Sequence, residues 1–241
     1  MFEKLKSVIK TPEIEFLCYQ EDVDVIPKPY PARKLMPQWF KKLPQRIEKK
    51  NLLNNATIKR CAPFIDAMAV GWIIPLAADV SIQTNEDASG VTYDSSFDRN
   101  IIENHGMEQI TTEEAPNPTF PKPPLKFLNW WAIRVPKDYS VLFIPPINRP
   151  EPRFTCFSGF VDCDKYFQFI NFPFVFNEPN FTGIIKAGTP LMQVIPIPRS
   201  GLIKDYNIRS FEEQDYRDLE KSIRRKDSQE SYYRDQLWSR K

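Results

Sequence analysis

The run from residue 125 to residue 197 decides the fold: LKFLNWWAIRV (125–135), PKDY (136–139), SVLFIPP (140–146), FTCFSGFVDC (154–163), YFQFINFPFVF (166–176) and FTGIIKAGTPLMQVIPI (181–197). These segments are short, rich in aromatic and β-branched residues, and separated by proline or polar turns. That pattern belongs to strands rather than helices. LKFLNWWAIRV reads as one strand carrying a tryptophan pair. PKDY reads as a turn, with Pro136 suited to its first corner. SVLFIPP reads as a strand stopped by two prolines. FTCFSGFVDC reads as a strand with a bulge at Gly159, and YFQFINFPFVF as an alternating strand. The last segment reads as strand, turn at Lys186–Thr189, strand.

Upstream, CAPFIDAMAVGWIIPLAADVSI (61–82) is strongly apolar, but Pro75 argues against one long helix. It reads as a short helix or turn at Asp66–Met68, a strand over Gly71–Leu76 and a second strand over Asp79–Gln83. Residues 84–124 are polar, with Asn85, Asp87, Ser89 and Gly90 favouring a turn, and end in the proline-rich loop PNPTFPKPP. Residues 1–60 read as an N-terminal arm. PEIEFLCYQ (12–20) alternates as a half-buried strand, IPKPYP (26–31) is an extended connector, and MPQWFKKLP (36–44) is a short helix anchored by Trp39 and Phe40.

Downstream, the period changes. Ser210 and Glu213 form a capping-box pattern. Tyr216, Leu219 and Ile223 then recur at helical spacing, as do Tyr233 and Leu237, with both charge signs between them. The predicted organisation is an arm over 1–60, a β-rich core over 61–200 and a charged amphipathic helix within 201–241. The fold class is mainly β, a barrel or sandwich with an extended N-terminal arm and a C-terminal α-helix.

Composition agrees. The chain has 241 residues, with 23 Pro, 7 Gly and 18 Phe. So many prolines imply short strands, edges and rigid connections. Lys and Arg number 33 against 31 Asp and Glu, a formal charge of +2, with no single-sign block; the basic stripe of a nucleic-acid binder is not expected. No apolar run approaches a membrane-spanning length. Cys18, Cys61, Cys156 and Cys163 form no C-x-x-C pair and read as reduced thiols made in a cytoplasm.

Catalytic signals are sparse. The one histidine, His105, excludes a multi-histidine zinc site and reads as a surface residue. No G-x-S-x-G, H-E-x-x-H, Walker A, G-x-G-x-x-G or EF-hand motif is present. Asp66, Asp79, Asp162 and Asp164 lie in apolar settings where a base or ligand can sit, but each reads as a turn or cap residue. No metal and no cofactor is expected.

Three strings, VPKDYSVLF, SGFVDCD and IIKAGTPLMQVIPI, resemble in their order the β-clip fold of deoxyuridine triphosphatases and dCTP deaminases. Gly159, Val161, Asp162, Gly188, Gln193 and Val194 carry the match. IDAMAVGWIIPLAADVSI resembles that family's first segment. The chain departs from it where the phosphate-binding R-S-S should follow SVLFIPP, since INRPEPRF stands there, and in lacking a glycine-rich C-terminal lid. The resemblance implies a β-clip-like body. If a nucleotide pocket survives, it implies Asp162 and Gln193 as its residues, and a diverged nucleotide binder, weak hydrolase or host-defence antagonist as one function.

MPQWFKKLP, TIKRCAPFIDAM, LNWWAIRVPKDYSVLFIPPIN, SGFVDCDKYFQFINFPF, GIIKAGTPLMQVIPI and the ending YYRDQLWSRK are together similar to an uncharacterised family of T4-like phages of cyanobacteria and other marine bacteria. This resemblance implies a phage origin. The favoured expectation is a non-catalytic virion structural protein, such as a capsid decoration or another head- or tail-associated component, made in the host cytoplasm. It would assemble with copies of itself, with a trimer favoured, and with capsid or other virion proteins. Trp39, Phe40, Tyr216, Leu219, Ile223, Leu237 and Trp238 are the candidate interface residues; Trp130 and Trp131 are equally suited to filling one subunit's core.

Overall fold

The computed structural model describes residues 13–48, 55–119, 122–228 and 232–239. Among these, fourteen strands form four antiparallel sheets, and none closes into a barrel. The largest sheet runs β11 (Gly159–Val161), β9 (Tyr139–Ile144), β14 (Pro190–Pro198), β3 (Trp72–Pro75), β2 (Tyr30–Pro31). A four-stranded sheet runs β10 (Phe154–Cys156), β12 (Phe172–Phe176), β7 (Leu125–Phe127), β6 (Ile102–Asn104). Three strands, β13 (Thr182–Ile185), β4 (Val80–Thr84) and β5 (Val91–Asp94), form the third sheet. The last pairs β1 (Glu15–Leu17) with β8 (Ala132–Arg134).

One hydrophobic core joins all four sheets. Its centre is aromatic. Phe127 stacks on Phe174 at 3.8 Å and 10°, and Phe154 meets both edge-on at 5.1 and 5.8 Å. Phe143, Phe172 and Phe176 are also fully buried. A buried phenylalanine contributes about 1.5–3 kcal/mol by leaving water, and offset or edge contacts add to that.

The sheets are built by a chain that changes sheet within its apolar runs, and this corrects the strand assignments made from pattern. LKFLNWWAIRV is two strands, not one: β7 and β8 lie in different sheets. Buried Asn129 makes the corner, donating to the Trp131 carbonyl at 2.7 Å and accepting the Trp131 N–H at 3.1 Å. A side chain that bonds backbone two residues on replaces the ladder there. FTCFSGFVDC likewise divides into β10 and β11, so Gly159 opens a strand in a second sheet rather than bulging the first. β13 and β14 are not a hairpin. The turn at residues 186–189, with Gly188 at φ +84°, carries the chain between sheets. In the fifth segment only Phe172–Phe176 is a strand. The polar stretch 84–124 supplies β5 and β6, each too short for periodicity to register.

Helix α1 (Gln38–Lys42) lies where MPQWFKKLP predicts it. The short helix or turn expected at 66–68 is a helix, longer than expected, α2 (Ala62–Ala69). Gly71 follows it at φ +74°, and a Cβ there would stand 2.1 Å from the Val194 carbonyl oxygen. Only glycine allows α2 and β3 to close on β14 so tightly. The N-terminal segment is sewn to the body: β1 and β2 extend two sheets, Ile26 joins the core, and Trp131 Nε1 donates to the Pro27 carbonyl at 3.0 Å. No described helix is long and apolar enough to cross a membrane.

The C-terminal helix, α3 (Glu213–Ser228), is real but capped two residues later than Ser210 predicts. The Glu212 carbonyl accepts the first helical bond from Tyr216 N, and Asp215 accepts the Glu212 N–H at 2.9 Å. Phe211 packs edge-on against Tyr216 at 5.3 Å, a staple across the helix start. Arg209 clamps Asp215 with two hydrogen bonds, so Asp215 takes the place in the capping box that Glu213 was expected to fill.

Candidate functional site

The expected pocket residues fall at opposite ends of β9. Asp162 accepts a hydrogen bond at 2.5 Å from Ser140 Oγ, whereas Gln193 stands opposite Ile144. Four strand residues, about 13 Å, separate those positions.

Gln193 is fully buried and its amide is saturated within the fold. Its oxygen accepts from Ile147 N–H and an Arg149 Nη2–H, both at 3.0 Å. Its nitrogen donates to the carbonyls of Ala67 and Val70 at 3.1 and 2.7 Å. An amide offers two acceptor and two donor positions, and all four are taken. Arg149 also donates to the carbonyls of Ala32 and Met68 at 3.0 and 2.8 Å. These bonded groups are neutral, and burial pulls the guanidinium below its ordinary pKa. The network ties four segments together and leaves Gln193 nothing to offer a nucleotide.

At the other end of β9 lies a carboxylate–arginine cluster. Arg199, just after β14, donates to both Asp164 oxygens at 2.9 and 2.6 Å and to the Tyr139 carbonyl at 2.9 Å. Its own N–H donates to the Asp138 carbonyl at 2.8 Å. Asp164 also accepts the Asp138 N–H at 2.8 Å, and Asp138 sits at φ +68°. The Arg199 hydrogen bonds hold the Asp164 carboxyl well below the usual carboxylate range, against a smaller opposing effect of burial. Asp162 lies 3.4 Å from Arg199. Ser140 is fully buried, so its hydroxyl meets a carboxylate rather than a substrate. A hydroxyl activated for attack needs a base that can take its proton and an open face; here the chemistry is that of a clamp.

The clamp is the root of the C-terminal strap. Beyond a 3-10 turn at Arg199–Gly201, residues 202–212 run outside the sheets, and α3 follows. Ile203, Tyr206 and Ile208 are 90%, 86% and 85% exposed. Phe211 and the predicted interface residues Tyr216, Leu219 and Ile223 are exposed as well, and no described α3 residue is buried. The strap's far end returns to the body, where Trp238 Nε1 donates to Asp66 Oδ2 on α2 at 2.8 Å. Trp238 and Asp66 are thus joined within one chain, and Leu237 beside them is exposed. Phe40 is buried against Phe64 of the same helix at 5.9 Å, while Trp39, edge-on to Phe40, is half exposed. The candidate interface residues therefore divide into a patch around α2 (Trp39, Leu237, Trp238) and the strap stripe; Phe40 is core.

The remaining candidates are structural. Asp79 caps the 186–189 turn, accepting Ala187 N–H and Lys186 Nζ–H, both at 2.8 Å. His105 ends the β6 region, its N–H bonded to the Pro124 carbonyl at 2.9 Å. All four cysteines are free; burial pushes the Cys163 thiol up to about 12 and raises Cys156 further. Among the described residues no group of three or more His, Cys, Asp or Glu is arranged to hold a metal ion. Trp130 lies under the Arg99 guanidinium at 4.3 Å, and Trp131 is in the core.

Sequence patterns pass over Arg199 and the segment 202–211. The available signal was apolar density, Leu202, Ile203, Tyr206, Ile208 and Phe211, in a stretch beyond the last strand. Comparison of the chain with known proteins returns no matching family and no matching curated relative.

Proposed function

We propose that this chain is a non-catalytic structural subunit of a phage particle, with a β-clip-like body, assembled through contacts among its own copies and with other virion proteins. The observation that carries this reading is the strap. Its seven exposed apolar side chains, from Ile203 to Ile223, present on the order of 1,000 Å² of surface by the usual areas of such residues. A standard interface takes about 800 Å² from each partner. A 16-residue helix that buries nothing is also marginal in water unless its apolar stripe is covered. The similarity to a family of T4-like phages supplies the setting.

Quantitative mass spectrometry of purified particles from the source lysate tests it. The expected result is a fixed copy number, in ratio to the major capsid protein for a decoration role, or a few copies for a vertex, neck or tail component. Absence from particles, with abundance in infected cells, would overturn the reading.

A further inference from the structure

We infer that the cavity between residues 35–37, the loop 149–151 and the start of β14 binds a small organic carboxylate, held through the Arg149 guanidinium. The cavity has a volume of about 220 Å³ and is walled by Leu35, Pro37, Arg149, Pro150, Glu151 and Pro190. The site is independent of the virion reading.

Arg149 calls for a charged ligand. A guanidinium carries five N–H donors. Three of them reach acceptors: the carbonyls of Ala32 and Met68 and the side-chain oxygen of Gln193. Nε is buried and has no acceptor, and the second Nη1–H has none either. All three acceptors are neutral. The one ionisable side chain that acts on the guanidinium is the Tyr30 phenol, which burial keeps protonated. Among the described residues, then, no carboxylate balances this partly buried cation. A charge withdrawn from water is costly unless it is paired, and a ligand carboxylate supplies the counter-charge that the chain does not.

The other walls select the ligand. Glu151 is the one acid among them, and its carboxylate belongs to Arg153. Oε1 accepts from Arg153 Nε and from its backbone N–H at 2.6 and 3.2 Å, and Oε2 accepts from Nη2 at 2.8 Å. Proline has no N–H to offer, so Pro37, Pro150 and Pro190 join Leu35 in an apolar lining. One unbalanced cation among apolar walls fits a single carboxylate on a short hydrocarbon tail, the guanidinium being the side chain that matches carboxylate oxygens best. A phosphate dianion would leave one of its charges unbalanced. Small-molecule and cofactor sites commonly occupy about 300–1,000 Å³, so this smaller volume holds an acid of a few carbons and excludes a nucleotide.

Equilibrium dialysis of the full chain against radiolabelled butyrate, with butanol and inorganic phosphate as competitors, tests the assignment. The expected result is saturable binding of one butyrate per chain, with each competitor weaker by at least about 10-fold. Arg149→Met should abolish binding, but it also removes the bonds to Ala32, Met68 and Gln193 and so can unfold the chain. Leu35→Trp is the second variant. It fills the cavity from the apolar side, keeps the guanidinium and its bonds, and should weaken butyrate at least about 10-fold with an unchanged melting temperature. No saturable butyrate binding would overturn the proposal, as would binding that ignores Leu35→Trp. Butanol competing as well as butyrate would reduce the site to an apolar hole, and phosphate competing as well would make it a general anion site; either result also overturns it. All of these outcomes leave the virion reading untouched, since that reading falls only if particles lack the protein.

Discussion

Gln193 illustrates what a single residue's role depends on. Its string, L-M-Q-V-I, marks a strand in the sequence, and the strand is there as β14. The partners of its side chain lie 44, 46, 123 and 126 residues away, and no local pattern encodes them. Removing the amide leaves a guanidinium proton, an N–H and two carbonyls without this partner at a largely buried site. Each unsatisfied group carries its own desolvation cost. Gln193→Leu keeps the volume and should destabilise the fold by about 2–4 kcal/mol in urea unfolding. A change near zero would mean that Arg149 and the α2 carbonyls are held by something else. Asn129 was equally hidden: its sequence context is a strand, and only its two bonds to Trp131 reveal a corner.

At the scale of elements, periodicity located most of the strands and the last helix but not the sheets they join. LKFLNWWAIRV and FTCFSGFVDC each look continuous because apolar side chains are needed on both sides of a change of sheet. The core lies between the sheets, so the pattern does not break where the backbone does. The root of the strap depends on such an element end. Arg199, Asp164 and Asp138 join the close of β14 to the start of β9 and the turn after β11. Asp164 is depressed on folding, chiefly by its hydrogen bonds to Arg199. Its stabilising effect is therefore complete above the ordinary carboxylate pKa of about 3.9 and is lost as pH falls below that toward the depressed value. Asp164→Asn should lower the melting temperature at neutral pH. The gap to the unaltered chain should then narrow as pH drops below about 3.9. A gap that does not change with pH would show that charge at Asp164 contributes nothing.

The whole molecule combines a well-filled core with an unfilled exterior. Its aromatic centre, one core across four sheets and the fully bonded Gln193 amide hold the body together. The strap is the opposite: clamped at Arg199, fastened at Trp238, and exposed at its apolar side chains from Ile203 to Ile223. The mainly β character and the amphipathic tail were legible from composition and period. That the tail's stripe, and the segment before it, would find no cover in their own chain was not, because amphipathic spacing is the same for a helix packed in cis and one packed in trans. Sedimentation equilibrium on the intact chain over a wide concentration range tests this account most directly. It predicts a mass that is a multiple of 28.3 kDa, returning to the single-chain value when Ile203, Tyr206 and Ile208 are all changed to Ser. A mass of one chain at every concentration, unaltered by those substitutions, would contradict it.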